Sequence, residues 1–149
     1  MTTNIFEMLK DHGTFKTLVN AIRITGHELE LRSKREFTIF APIDNAFMDF
    51  SDATVETILG SDVSARNFVQ SHMILKSFTY AELLASEQLK TRSDSLIKIK
   101  KNLVSLGLNV ARFIETDIET ANGLIHVIDS VLIPIDNSEE MIPRDLTIA

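Results

Sequence analysis

The 149-residue chain contains no cysteine and no tryptophan, and only one tyrosine, three prolines and five glycines. Without cysteine there can be no disulfide, no thiolate metal ligand and no cysteine nucleophile. With its glycines at 13, 26, 60, 107 and 123, no G-x-G-x-x-G or Walker loop can be written, so nucleotide use is not expected. The longest apolar run, Ile125 to Pro134, is interrupted by Asp129 and is far shorter than the roughly 20 residues a spanning helix needs. A cationic excess is also missing. Fifteen Lys and Arg against 21 Asp and Glu give a net charge of −6, which repels a duplex phosphate backbone unless the basic residues gather on one face. Met1 to Asp11 shows no basic stretch followed by an apolar core and a cleavage site. The expectation is a cytoplasmic chain or, alternatively, an extracellular one whose leader has been trimmed.

What is present is apolar residue, 44% of the chain, spread along its length and sufficient for one core. Asn4 and Glu7 have capping-box spacing ahead of Ile5, Met8 and Leu9, which predicts a helix that Gly13 interrupts. Phe15, Leu18, Val19 and Ile22 repeat the helical period up to Gly26. Phe37 to Ala41 reads as a strand stopped by Pro42, and Asp44 is placed to cap a short helix carrying Ala46, Phe47 and Phe50. Helices over Asp52 to Leu59 and Ser64 to Gln70, a strand through His72 to Leu75, and a Thr79/Glu82 capping box opening a helix over Tyr80 to Ala85 follow. From Gln88 onward the pattern is short alternating runs: Leu89 to Thr91, Leu96 to Ile99, Leu103 to Leu106 and Val110 to Ile114. Asn122-Gly123 predicts a two-residue turn, and Leu124 to Ile133 a long buried strand closed by Pro134. Helices first and antiparallel strands later give an α+β fold.

Few residues suggest chemistry. His12, His27, His72 and His126 are scattered without the spacing of a zinc site, so no metal and no cofactor is expected; His72 and His126 read as histidines hydrogen-bonded within the fold. A zinc-dependent hydration of carbon dioxide at His72 or His126 is the enzymatic alternative. Ser71 beside His72 would pair a nucleophile with a base only if the side chains met, and neighbours on a strand diverge. Asp117 and Glu119 would share one face if extended, which suits a cation or, more simply, a solvated edge. Lys98 and Lys100, alternating with Ile97 and Ile99 and followed by Lys101, form a wet strand face rather than a nucleic-acid contact.

Two blocks carry a family resemblance. Phe37-Thr38-Ile39-Phe40-Ala41-Pro42-Ile43-Asp44-Asn45-Ala46-Phe47 resembles the first signature of fasciclin domains, with Ile43 where threonine is common; Phe40, Ala41, Pro42, Asp44, Ala46 and Phe47 carry the match. The run from Asn122 to Pro134 is similar to the second signature through Asn122, Gly123, His126, Asp129 and Pro134. Between them the family's Tyr-His pair reads Ser71-His72. Asp117-Ile118 occupies the place of an Asp-Ile pair linked to integrin binding in some animal members, with Glu115 and Thr116 departing from those motifs. Ser71, His72, Asp117 and Ile118 are thus the candidate interaction residues.

The resemblance implies a wedge of two small β-sheets with several helices packed on it, spanning residues 1–134, and a C-terminal tail over 135–149 that is frayed or docked. It implies adhesion or protein assembly, no reaction, and protein partners rather than nucleic acid or an inserted membrane. One setting it implies is a soluble subunit bound peripherally to the cyanobacterial NADPH dehydrogenase complex for carbon dioxide uptake. A secreted or cell-surface adhesion domain is the alternative.

Overall fold

A computed structural model describes residues 3–48, 50–107 and 109–133. Helices α1 (Ile5–His12), α2 (Lys16–Ile24) and α3 (Glu28–Leu31) precede β1 (Phe37–Pro42) and a 3-10 turn at Asp44–Phe47. Then come α4 (Asp52–Leu59), α5 (Asp62–Ser71), β2 (Met73–Ile74) and α6 (Tyr80–Ser86). The chain finishes with β3 (Gln88–Lys90), β4 (Leu96–Lys100), β5 (Leu103–Leu106), β6 (Asn109–Thr120) and β7 (Gly123–Ile128). The tail over 135–149 and Pro134 lie outside the described residues.

The strands join in the order β2-β1-β7-β6-β5-β4-β3. The expected two sheets are present as two halves of one seven-stranded order, linked through the long strand β6. Its first part, Asn109 to Arg112, pairs with β5, while Phe113 to Thr120 pairs with β7 across register shifts between Phe113 and Ile118. An irregularity of this kind bends a strand and raises its twist, so one strand serves two differently oriented halves.

The two signature blocks meet at the centre. β1 and β7 run parallel in continuous register, from Phe37 opposite Gly123 to Pro42 opposite Ile128. Alternate residues of this pair face two cores. Ile39, Ala41, Ile125 and Val127 face the core made with α1, α2 and α5, including Ile5, Leu9, Leu18, Ile22 and Phe68. Phe40 and Ile128 face the second, with Leu83, Ile97, Ile99, Val104, Leu106, Ala111 and Leu132. A wall buried on both sides needs apolar residues at nearly every position, which is why both blocks read as continuous apolar runs rather than alternating ones.

Several sequence expectations need correction. His72 is not on a strand: it is the C-cap of α5, and β2 begins one residue later. The predicted strand Leu124 to Ile133 ends at Ile128, because Asp129 turns back on β6; its N–H donates to the Arg112 carbonyl and its Oδ1 accepts from the Arg112 N–H at 2.8 Å. The tight turn holds Ala121 and Asn122, since Thr120 pairs with Gly123, and Asn122 has no positive φ. Glu7 does not complete the first capping box. Asn4 accepts from the Glu7 N–H at 2.9 Å, but the Glu7 carboxylate turns to Arg32 Nη1 at 2.6 Å. At α6 the reciprocal box is complete between Thr79 and Glu82.

Candidate functional site

The residues singled out by the sequence are bound up in the fold's own hydrogen bonds. His72 is fully buried. Its Nδ1 lies 2.8 Å from the Phe68 carbonyl and must be the protonated nitrogen, while Nε2 accepts from the Leu132 N–H at 2.9 Å. Helix α5 supplies the first partner by its i−4 geometry, and the segment after β7 supplies the second. Burial pushes the His72 pKa down to about 4, the bond to Phe68 opposing in part, so the ring is neutral. His126 is the mirror case. Nε2 donates to the Phe78 carbonyl at 2.8 Å and Nδ1 accepts from the Asp117 N–H at 3.1 Å; burial, chiefly, lowers its pKa too. Each ring ties two backbone segments together with both nitrogens engaged. Neither has a lone pair free for zinc, so the hydration alternative has no ligand to start from at these positions.

Ser71 and His72 do not form a catalytic pair, for a reason other than strand alternation. Ser71 is the last residue of α5; its hydroxyl donates to the Asn67 carbonyl at 2.6 Å and lies 3.1 Å from Ser93 Oγ, which also contacts Thr91 and Ser95. With both His72 nitrogens taken by Phe68 and Leu132, no base addresses that hydroxyl.

Asp117 lies in the irregular stretch of β6 with φ 60°, a conformation in which Asp is tolerated better than most residues. Its Oδ1 accepts from the Tyr80 N–H at 2.8 Å, so a strand residue supports the first turn of α6. Among the described residues no group of three or more His, Asp or Glu is placed to hold a metal ion. Ile118 is half-buried against the first core. The Asp117-Ile118 pair therefore has structural duties on both side chains.

Asp44 caps a helix, but not its own. The 3-10 turn that begins there has no side-chain cap; Asp44 instead accepts from the N–H groups of Lys16 at 3.1 Å and Thr17 at 2.8 Å, opening α2 from 28 residues away in sequence. Its own N–H donates to the Thr14 carbonyl. Asp44→Ala is expected to cost about 1–2 kcal/mol in urea or thermal denaturation, with Asp44→Asn retaining most of the stability, because an Asn oxygen also accepts from first-turn N–H groups. Equal losses for the two variants would contradict the capping role.

Asn122 is the residue whose duties sequence reasoning missed. Its Oδ1 accepts from the Ile5 N–H at 2.9 Å, and its Nδ2 donates to the carbonyls of Leu31 at 2.8 Å and Ser33 at 2.9 Å. One buried amide thus joins the start of α1, the end of α3 and the β6–β7 turn. The sequence signals were its place at the head of the second signature block and in an expected turn, neither of which names its partners. Phe40, Ala41, Pro42, Ala46 and Phe47 are all buried in the two cores or the β1–β7 wall, with the Phe47 ring edge-on to Phe68 at 5.7 Å.

A second polar cluster lies at His27, whose Nδ1 contacts Thr25 Oγ1 at 2.7 Å and whose Nε2 contacts Gln70 Nε2 at 3.1 Å. Glu30 pairs with Arg92 at 3.1 Å nearby in the same electrostatic environment. The groups of this cluster meet one another, but among the described residues the buried Glu30 Oε1 and Arg92 Nε have no hydrogen-bond partner. Nothing in these groupings offers a nucleophile, base and reacting-atom position together.

Comparison with known proteins agrees with this architecture. The fasciclin domain family model matches residues 13–134. The chain is 33% identical over 132 residues to the uncharacterized protein sll1735 of Synechocystis sp., covering 87% of the chain and 97% of that protein. It is 31% identical over 133 residues to protein sll1483 of the same organism, covering 87% of the chain and 73% of that protein. It is 32% identical over 136 residues to transforming growth factor-beta-induced protein ig-h3 of Sus scrofa, covering 90% of the chain but only 20% of the longer protein. Among solved structures, the FAS1 domain pair from the insect cell adhesion molecule Fasciclin I superposes with a TM-score of 0.65 at 20% identity, over 82% of this chain and 46% of that one. Signature blocks paired strand against strand, the match over most of the chain and the shared fold lead to one conclusion: the chain belongs to the fasciclin domain family.

Proposed function

We propose that this domain is a non-catalytic protein-interaction module. The observation that carries this is the use of the signature polar side chains. Asp44, His72, Asn122, His126 and Asp129 each hydrogen-bond to backbone groups of the fold, so they build a rigid scaffold and leave any function to its surface. The solved relative Fasciclin I is a cell adhesion molecule, which supports the same class of role.

Within that class, assembly into a larger complex is the finer reading, with the cyanobacterial NADPH dehydrogenase complex for carbon dioxide uptake as the setting and its cytoplasmic side as the location. What supports it is the occurrence of relatives in Synechocystis, in one of which the matched segment makes up 97% of the length. A surface adhesion domain is supported instead by ig-h3, where a matching segment forms one part of a longer chain. An affinity pull-down of the tagged chain from its native cell, with membrane and soluble fractions separated, tests both. Stoichiometric recovery with dehydrogenase subunits is the expected result. Recovery only with exported or surface proteins would overturn the assembly setting, and substrate turnover abolished by a point mutation would overturn the non-catalytic reading.

A further inference from the structure

The half-sheet β3-β4-β5-β6 buries one face in the second core, and no other described element packs on its opposite face. In cross-strand register the outward rows are Gln88, Lys98, Ser105 and Val110; Lys90 and Leu96; and Lys100, Leu103 and Arg112. Every charged residue on these rows is a cation, and exposed Lys101 adjoins them in the β4–β5 turn. Among the described residues, none of Lys90, Lys98, Lys100, Lys101 or Arg112 forms an ion pair; elsewhere Lys10 and the arginines Arg23, Arg32, Arg35, Arg66 and Arg92 do, while Lys16, Lys34 and Lys76 do not. Among the described residues no helix covers this face: Leu96 is 45%, Val110 52% and Ile114 54% exposed. The strand that reads as a wet face in the sequence contributes to every row of a cationic field with apolar side chains set into it.

We propose that this outer face of β3 to β6 is the docking surface of the module, and that its occupant is a protein presenting a compact acidic patch with interspersed apolar side chains. This deepens the interaction-module reading and rests on it. The size of the partner patch follows from charge. With the five cations of the face set aside, ten Lys and Arg stand against 21 Asp and Glu in the rest of the chain, and exposed Glu87, Asp94 and Asp129 adjoin the strands, so the cationic field is an island with acid at its border. Four strands at about 4.8 Å spacing make it only some 15–20 Å across. A bilayer or a duplex extends beyond such an island and meets the acidic surround; a bounded acidic patch does not. The exposed Leu, Val and Ile supply the apolar contact that charge pairing at a rim does not provide.

The test uses the full chain and three probes: a fluorescent peptide of Glu-Glu-Leu repeats, phosphatidylglycerol vesicles, and a short duplex DNA. The peptide is expected to bind, to weaken as salt rises from about 50 to about 300 mM, and to lose about tenfold or more in affinity in Lys98→Glu/Lys100→Glu. Lys34→Glu/Lys76→Glu, which reverses two exposed lysines away from this face, is expected to bind as the unmodified chain does, with thermal melts showing that both variants fold. No peptide binding, equal binding by the Lys98→Glu/Lys100→Glu variant, or tighter binding to vesicles or duplex than to peptide would overturn the proposal. Used as bait in the native pull-down, a Lys98→Glu/Lys100→Glu chain that keeps the partner would overturn this face while leaving the interaction-module reading intact.

Discussion

Gly123→Ala is expected to destabilise the domain by about 3 kcal/mol or more, a large share of the roughly 5–15 kcal/mol that holds a domain of this size together. At the start of β7, Gly123 lies directly opposite Phe37 in the parallel pair, with φ 151°. A Cβ there would collide with the Phe37 carbonyl oxygen and stand 2.9 Å from its carbonyl carbon. The obstacle is backbone, not the flexible end of a side chain, so relief requires β1 and β7 to separate. These strands form the wall between the two cores, and the strain therefore reaches both. Gly26→Ala is the comparison: Gly26 also has a positive φ, 79°, but open space around it, so only conformational strain of about 1–2 kcal/mol is expected. Urea denaturation of the two variants distinguishes these cases, and similar midpoints would contradict the close-approach argument.

The second large effect is a loss of stability in mild acid. His72 is neutral in the fold, with its pKa lowered from 6.5 to about 4 by complete burial. Between those values the unfolded chain binds a proton that the folded chain does not, so stability falls as pH falls. It falls by about 1.4 kcal/mol per pH unit, reaching roughly 3 kcal/mol near pH 4, and it is fully present above the unfolded value. His27 and His126, also lowered chiefly by burial, add in the same direction. Chemical denaturation from pH 7.5 to 4.5 measures this slope. His72→Gln is expected to be less stable at pH 7.5, because at least one buried partner is left unsatisfied, but to show a shallower slope between pH 6.5 and 4.5. An unchanged slope in that variant would assign the acid sensitivity to other groups.

Local signals carried much of the fold. The Thr79/Glu82 box, the helix over Asp52–Leu59 and the strand Leu103–Leu106 stand where residue chemistry placed them, because caps and periodicity act over a few residues. Asp44 shows where that range ends. An acid before a short apolar run satisfies the rule for capping the helix that follows, yet the free N–H groups it meets belong to α2, brought to it when β1 packs against the helices. Asp117 shows the same limit: the predicted strand stops at Ile114, whereas β6 runs on to Thr120 and its irregularity turns Asp117 toward the start of α6. Ser71 and His72 diverge, but strand alternation is not the reason. The helix continues through Ser71, since β2 is only two residues long and His72 is held as a cap by Phe68 and Leu132.

By itself, the sequence determined the α+β class, the two signature blocks and the absence of a cysteine, nucleotide-loop or spaced-histidine site, because these depend on residue type and short spacing. Only the tertiary structure decided what the polar signature residues do and which basic residues share one sheet face. The parallel pairing of β1 with β7 brings the blocks together, Asn122 reaches α1 and α3 across the fold, and four strands in register place Lys90, Lys98, Lys100 and Arg112 on one face. Strand neighbours and helix ends so distant in sequence are set by which apolar faces can be buried together, a property of the whole chain that no local pattern encodes.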